Sequence, residues 1–522
     1  MAKRIACVGG GPGGLFFSIL MKRAMPDAEV VLFERNQASD AFGFGVVFSD
    51  ATLRAIDEAD PVVRNGLEEF GTHWDTIDVW LKGERASFSG NGMAAIHRKT
   101  LLRLLQGRAA AEGVEMRFGE FVPSIGYLDD FDIVVGSDGA NSPTRDQVEV
   151  DLGHHVETAA AKFIWFGTTF MFDGLTFIHK HNEHGNFAVH AYPISDDVST
   201  FIVETDEETW RRAGLDSFDV TSPPGLSDEK SQAYLEKLFE NEIPGGKLIA
   251  NNSRWANFRT RKTDVWHADN VVFIGDAVHT AHFSVGSGTK MAMEDAIVLA
   301  REIAADPNDL EAAFTKYQAA REPAVARIQN AAGPSLRWWE HFAIYYRKFE
   351  PWQFAFHFFS RSISLSKIRQ RDPEFASRTE RGWRSQHRSS PLHTPLELAG
   401  RTFPGRKLVA SSNDQKLPVL TDPSSGTVVP LTTDSVEGGG HLLTAPGTYG
   451  EVAKALETVP PGAAFVAITG GDPLVRMAVS ELVRLELGIP SIVVEDDPSD
   501  DDVETIVLAG RADGVAASGW GG

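Results

Sequence analysis

Apolar residues in the N-terminal part of the chain come in short blocks that stop on glycine, with helical patterns between them. Ile5 to Val8 is one block. It runs into Gly9-Gly10-Gly11-Pro12-Gly13-Gly14, an apolar helix pattern follows, and a second apolar strand ends at Glu34. Phe131 to Val135 is another, stopping in Ser137-Asp138-Gly139. Val271 to Ile274 stops at Gly275-Asp276, with Gly286 and Gly288 where a loop turns into a helix beginning near Thr289. Strands and helices in this alternation predict an α/β fold with a Rossmann-like sheet.

Between these blocks the period changes. From Trp74 to Phe88, and again from Lys162 to about Trp266, the chain reads as short strands, among them FIWFGTTFMF, LTFIHKH, NFAVHAYPI and STFIVET. A β-sheet domain is thus interleaved with the Rossmann-like one. The expected segments are 1–73, 91–160 and 267–332 for the dinucleotide-binding domain, and 74–90 and 161–266 for the sheet domain. A helical and basic extension is expected over 333–390 and a small α/β tail over 391–522. Alternation in FAVHAYP puts His190 and Tyr192 on one face of a strand and Val189 and Ala191 on the other. That face either lines a pocket or carries a hydrogen-bonded pair on a sheet surface.

The glycine-rich turn has a mechanical logic. Gly9 makes the tight turn, Gly11 lets a pyrophosphate approach the backbone, and Gly14 lets the helix pack on the strand. Glu34, about twenty residues on, suits ribose hydroxyls. A helix opening near Thr289 aims free N–H groups at an anion or an electron-rich ring edge. Lys3 and Arg4 before an apolar run also fit a secretory leader, but the glycine-rich centre and the missing small-residue cleavage site argue against it.

Composition narrows the class. With 522 residues and 42% hydrophobic content the chain can bury large cores. Cys7 is the single cysteine, so neither a disulfide framework nor a cysteine metal site is available. No apolar run reaches the roughly eighteen residues a membrane helix needs, and a cytoplasmic enzyme is expected. A net charge of −22 disfavours nucleic acid as a partner and gives no reason to expect membrane attachment. One segment reverses that sign: Arg361 to Arg388, with Arg369 and Arg371 among its cations, reads either as a solvated linker or as a contact for an anionic target.

With these motifs in order, the chain resembles the single-component flavin aromatic hydroxylases of the para-hydroxybenzoate hydroxylase type. The resemblance implies bound FAD. Gly9, Gly11, Pro12, Gly13 and Gly14 would hold its ADP half, with Glu34 and Arg35 at the adenosine. Asp276, with Gly275 before it, would lie along its ribityl or ribose region, Asp138 at the DG strand end is a further expected cofactor contact, and Gly286, Gly288 and Thr289 would face the flavin pyrimidine edge. Arg98, opening RKTLLRLLQGRAAAEG, matches the arginine these enzymes place near the FAD; without the resemblance it would be a solvated first-turn residue. Gly45 and Val46 are expected flavin neighbours. NADH or NADPH would bind transiently as reductant, and O2 would be delivered through the flavin C4a-hydroperoxide.

FGFGVVFSD, FIWFGT, HAYPISDDVSTFIVE and GDAVHTAHFSVGSGTKMAMEDA are more specifically similar to the branch acting on CoA thioesters of salicylate and 2-aminobenzoate, and to the hydroxylase of violacein biosynthesis. This chain has Gly43 and Phe44 where many members carry arginines, Phe283 where a proline is usual, and Lys290 where an asparagine is usual. The branch implies an aromatic acyl-CoA as substrate, with a salicyl ring oxidised at its 5-position to gentisyl-CoA. His190, Tyr192 and His282 are the candidates for contacting the phenol and acting in catalysis, Val47 and Phe283 for the ring, and Arg369 and Arg371 for the CoA phosphates. Two other readings stand beside this one: hydroxylation of a free aromatic or indolic metabolite, and a non-catalytic flavin-binding interaction protein.

In the tail, PLHTPLELAGRTFPGRKLVAS resembles the opening of an Old Yellow Enzyme type barrel. The residues that follow are too few for a TIM barrel, which takes about 200 at the least. A truncated barrel-like module without a second flavin is expected, serving packing or homodimerisation. Asp472, Glu495 to Asp497 and Asp500 to Asp502 read as acidic loops, not as metal ligands.

Overall fold

The computed structural model describes residues 3–41, 43–148, 151–219, 225–283, 288–413, 415–433 and 438–519. The chain forms two compact units, Met1–Asp78 with Asn91–Glu340, and Val79–Gly90 with His341–Gly522.

In the first unit, β1 (Arg4–Val8) leads through Gly9 to Gly11 into α1 (Pro12–Ala24), and β2 (Glu29–Glu34) follows. The remaining pieces come later in sequence: β3 (Gly45–Ser49), β4 (Met93–His97), α2 (Arg98–Glu112), β5 (Glu115–Phe118) and β6 (Ile133–Gly136). β1 lies between β2 and β6, parallel to both. Its residues beyond Arg4 are buried, which is why it reads as a continuous apolar run and not as an alternation. Leu15, Phe16, Phe17, Ile19 and Met21 of α1 join the same core.

The inserted sheet is antiparallel: β7 (His155–Thr168), β8 (Leu175–Asn182), β9 (Gly185–Pro193) and β10 (Ser199–Thr205), with β11 (Ala256–Lys262) added to β7. Register places Ile202 beside both His190 and Trp165, and Glu204 beside both Ala188 and Phe163. Phe177 stands opposite His190, and His179 opposite Ala188. Residues in register share a face of the pleat, so these side chains form one patch. The chain then returns to the parallel sheet with β12 (His267–Ala268) and β13 (Val271–Phe273), the latter parallel to β6. α3 (Gly288–Ala305) lies against α1, and α4 (Leu310–Lys348) continues through Pro323 and Pro334. The division between the units falls within α4, and residues 79–90 belong to the second unit.

The second unit contains α5 (Pro351–Phe359), α6 (Pro373–His387) and a closed barrel. Its strands are β14 (Lys407–Ser412), β15 (Pro418–Thr421), β16 (Val428–Thr432), β17 (Gly440–Thr444), β18 (Phe465–Thr469), β19 (Ser491–Glu495) and β20 (Gly514–Ser518). β14, β15 and β16 are joined antiparallel; the other neighbours, including the closing β14–β20 pair, are parallel. A hairpin needs a few residues where a parallel crossover needs a dozen or more, and that economy lets a barrel close within so short a tail. Leu408, Ala410, Leu420, Phe465, Ile492 and Ala516 belong to one buried core. The acidic loops have structural work: Asp472 accepts from the backbone of Leu474 and Val475 to cap α7 (Pro473–Leu485), and Asp502 completes a capping box with Ser499 on α8 (Asp500–Leu508). Among the described residues no helix is long and apolar enough to cross a membrane.

Candidate active site

Two cavities open at the ends of the parallel strands, where α/β sheets bind ligands. The smaller, 180 Å³, is lined by Gly9, Gly11, Glu34, Arg35 and Asp138 among others. Gly9 has φ +113°, and a Cβ there would lie 2.4 Å from the Ser137 carbonyl oxygen. A Cβ on Gly14 would lie 2.2 Å from the Gly9 carbonyl, so helix and strand meet backbone to backbone. Gly11 differs: a Cβ there would enter open space, leaving a bare cradle at the start of α1. Glu34 is held by the loop itself, accepting from Gly10 N at 2.7 Å and from Asn36 N at 2.8 Å. Asp138 accepts from Thr144 N at 3.0 Å through Oδ2, while its buried Oδ1 has no hydrogen-bond partner among the described residues. A buried acceptor in that state calls for a donor such as a sugar hydroxyl.

The larger cavity measures 410 Å³. Gly11, Pro12 and Gly13 form one wall, Gly45, Val46 and Val47 of β3 another, and Gly275, Asp276, Gly288 and Thr289 a third. A Cβ on Gly45 would meet Ile194 at 2.4 Å, so glycine lets β3 approach the inserted sheet. Arg98 reaches the same cavity from the start of α2, where its N–H donates to the Phe44 carbonyl at 2.7 Å. Burial lowers the Arg98 guanidinium from its ordinary value, with Asp276 and Tyr192 acting against the fall. Asp276 stands exposed at the cavity wall, where the surrounding protein disfavours its charge and raises its carboxyl above the usual range, although His279, Arg98 and Arg261 pull it down. Gly286 lies outside the described residues.

Beneath that wall is a buried charged node whose members lie in the motif GDAVHTAHFSVGSGTKMAMEDA and the closing helix, and whose pairing the sequence did not show. Asp295, fully buried on α3, accepts from Gly275 N at 2.9 Å and faces His279 Nε2 at 2.8 Å. Arg321 of α4 donates to its other oxygen at 2.8 Å and pairs with Glu294 at 3.0 Å. Although burial pushes the other way, His279 and Arg321 hold the Asp295 carboxyl below its ordinary range. The Tyr317 hydroxyl donates to the Phe273 carbonyl at 3.1 Å, fixing the end of β13. A sequence signal existed: Asp295 falls on the same helical face as Met291 and Leu299, where a charge needs partners.

The inserted sheet supplies the opposite wall. His190 and Tyr192 both line the cavity, with Phe163, Trp165, Phe177 and Ile202. Tyr192 stacks on Trp74 at 5.9 Å, and burial pushes its phenol well up, so it stays a neutral hydroxyl. The His190 ring lies 4.2 Å from that of Trp339, and its Nε2 is 2.7 Å from Oε1 of Glu204. Glu204, which the strand pattern STFIVET did not mark, is 1% exposed. Val47 and Phe283 line the cavity as well, whereas His282 is not among its lining residues. The His282 ring packs on Phe258 at 4.9 Å and on Phe283 at 4.3 Å. Arg369 and Arg371 belong to the second unit, where Arg369 donates to Glu380 at 2.7 Å.

A glycine cradle at a helix start, with an acceptor-lined cavity beside it and an aromatic-walled cavity beyond it, makes a dinucleotide site with room for a second ring, and the residues fit FAD. The chain belongs to the FAD-dependent aromatic monooxygenases: residues 130–332 match the FAD binding domain family, and similarity to a named hydroxylase extends over the full chain. That relative, salicyloyl-CoA 5-hydroxylase of a Streptomyces species, is 51% identical over 522 residues, covering 99% of this chain and 100% of the relative. The 3-hydroxy-4-methyl-anthranilyl-[aryl-carrier protein] 5-monooxygenase of Streptosporangium sibiricum is 34% identical, over 64% of this chain and 88% of its own. Among solved structures, 2-methyl-3-hydroxypyridine-5-carboxylic acid oxygenase superposes with a TM-score of 0.53 at 18% identity, covering 65% of this chain and 93% of that one. FAD is therefore the cofactor, and NAD(P)H the co-substrate of the family.

Proposed function

We propose that the protein hydroxylates an aromatic acyl-CoA, converting salicylyl-CoA to gentisyl-CoA with NAD(P)H and O2. The observation that carries this reading is the 51% identity to salicyloyl-CoA 5-hydroxylase along the whole of both chains, the C-terminal unit included. The cavity is consistent with it. Phe163, Trp165, Phe177 and Phe283 offer apolar walls to a ring, while Tyr192 and His190 supply the few polar groups that can orient a phenolic hydroxyl.

When bound, FAD supplies the redox chemistry of oxygen transfer. The chain's own residues do the rest. The glycines of the first turn and the 275–276 loop would seat the cofactor, Arg98 would put a positive charge beside it, and the sheet walls would hold the ring and exclude water. Reduced nicotinamides and CoA thioesters make the cytoplasm the compartment that fits this reaction. The test is reductant consumption by the FAD-loaded protein with salicylyl-CoA and, separately, with free salicylate. Stimulation by the thioester alone supports the reading; equal stimulation by the free acid overturns it in favour of a free aromatic substrate.

A further inference from the structure

Building on that reading, we propose that Glu204 is a positioning residue: it fixes the tautomer of His190 and stabilises its imidazolium form, so that His190 accepts the proton of the substrate's phenolic hydroxyl. Glu204 on β10 and His190 on β9 share one face of the inserted sheet, with Ile202 in register with His190 and Ala188 in register with Glu204. Oε1 of Glu204 is 2.7 Å from Nε2 of His190, and Oε2 is 4.0 Å from Nε2 of His282. The carboxylate is thus flanked by two imidazoles at 1% exposure, so its charge is better compensated once one of them becomes an imidazolium.

The two histidines are not equivalent. His190 lines the larger cavity, whereas His282 packs against Phe258 and Phe283. A carboxylate at ion-pair distance from Nε2 favours a proton on that nitrogen electrostatically, which would make Nδ1 of His190 the basic one. The other titratable groups of this face are His179, opposite Ala188 on β8, and Tyr192, whose phenol is held neutral by burial. From α4 come the neutral rings of Trp338 and Trp339, the latter stacked on His179 at 5.8 Å. The acidic member of this set is Glu204, on the side of His190 where a new positive charge is best compensated.

The step is a proton transfer. The phenolic O–H bond breaks, an N–H bond forms at Nδ1 of His190, the electron pair remains on the phenolate oxygen, and the imidazolium stays against the Glu204 carboxylate. The ring that results is richer in electrons, which oxygen insertion para to that oxygen requires.

The experiment uses the full-length, FAD-loaded protein without reductant, titrated with salicylyl-CoA while phenolate absorbance is followed against pH. In the wild type the bound hydroxyl is expected to titrate at least about one pH unit below the free thioester, because the site stabilises its charged form. E204Q is expected to bind the thioester but lose that shift, E204D to keep part of it, and benzoyl-CoA, which lacks the hydroxyl, to bind all three proteins alike. A wild-type hydroxyl that titrates as it does in solution overturns the proposal, as does an E204Q protein with the full wild-type shift. If E204Q does not fold, the wild type and E204D decide in the same way. Failure of the wild type to bind salicylyl-CoA at all sinks the substrate reading, and this proposal with it; binding without a shift sinks this proposal alone.

Discussion

His279 Nε2 stands 2.8 Å from the carboxylate of Asp295, and the same carboxylate accepts the N–H of Gly275. The loop that presents Asp276 to the cavity is therefore pinned from behind by a buried acid on the following helix, which Arg321 also grips. Replacing Asp295 with alanine removes one member of a buried charged network, a change that typically costs about 3–5 kcal/mol. We expect D295A to lower the unfolding midpoint sharply and to loosen FAD, as measured by calorimetry and by flavin release on dilution.

Asp295 also gives stability a pH signature. Its folded-state pKa lies below the ordinary value, so its contribution is fully present above the unfolded value of about 3.9 and disappears as pH falls through the folded one. The stability difference between wild type and D295N should be largest near neutrality and shrink on acidification. Denaturant titrations across that range measure it.

Asp276 carries the opposite sign. Its folded-state pKa is raised, so the ionised carboxylate costs the cofactor-free protein stability once pH exceeds the unfolded value, and that cost is absent below it. D276N should make the apoprotein more stable at neutral pH and indistinguishable from wild type in strong acid. FAD affinity should nonetheless fall by about tenfold or more, the worth of a hydrogen bond to a charged group. Opposite movement of apo stability and flavin affinity is the outcome to look for.

The glycines of the first turn separate fold from ligand. G9A puts a side chain at φ +113° and 2.4 Å from a carbonyl oxygen, so it should destabilise the apoprotein by more than about 1 kcal/mol. G11A adds a Cβ where no protein atom lies within 4 Å, so apo stability should hold while FAD binding weakens. Paired measurements of the apo unfolding midpoint and the flavin Kd distinguish the two.

Cys7 is fully buried beside Ser137, and burial pushes its thiol up to about 11. A thiol reagent at neutral pH should leave the native protein unmodified and label it on unfolding, because the thiolate is the reactive form.

The parallel sheet and its ligand loops were legible because β1, β6 and β13 each end at or run into glycine, with Asp138 and Asp276 following at the last two, and because buried parallel strands read as unbroken apolar runs. The inserted sheet was legible as strands, and alternation paired His190 with Tyr192, but alternation cannot say which face meets the cofactor. Asp295 and Glu204 escaped notice because a lone acid within an apolar helix or strand looks like any polar position until its partners, distant in sequence, are folded against it. The barrel was legible over its β18, α7 and β19 segments. Its β15 strand has only four residues, and β16 carries Pro430, which weakens a strand pattern. The basic segment was read by charge alone; in the structure Arg369 is paired with Glu380.

The central claim is oxygen transfer to an aromatic thioester, and the most direct measurement is product analysis after turnover of salicylyl-CoA with NAD(P)H under isotopically labelled dioxygen. We expect a hydroxylated thioester carrying one labelled oxygen atom on the ring. Reductant consumption with all of the dioxygen recovered as peroxide and the thioester unchanged would contradict it.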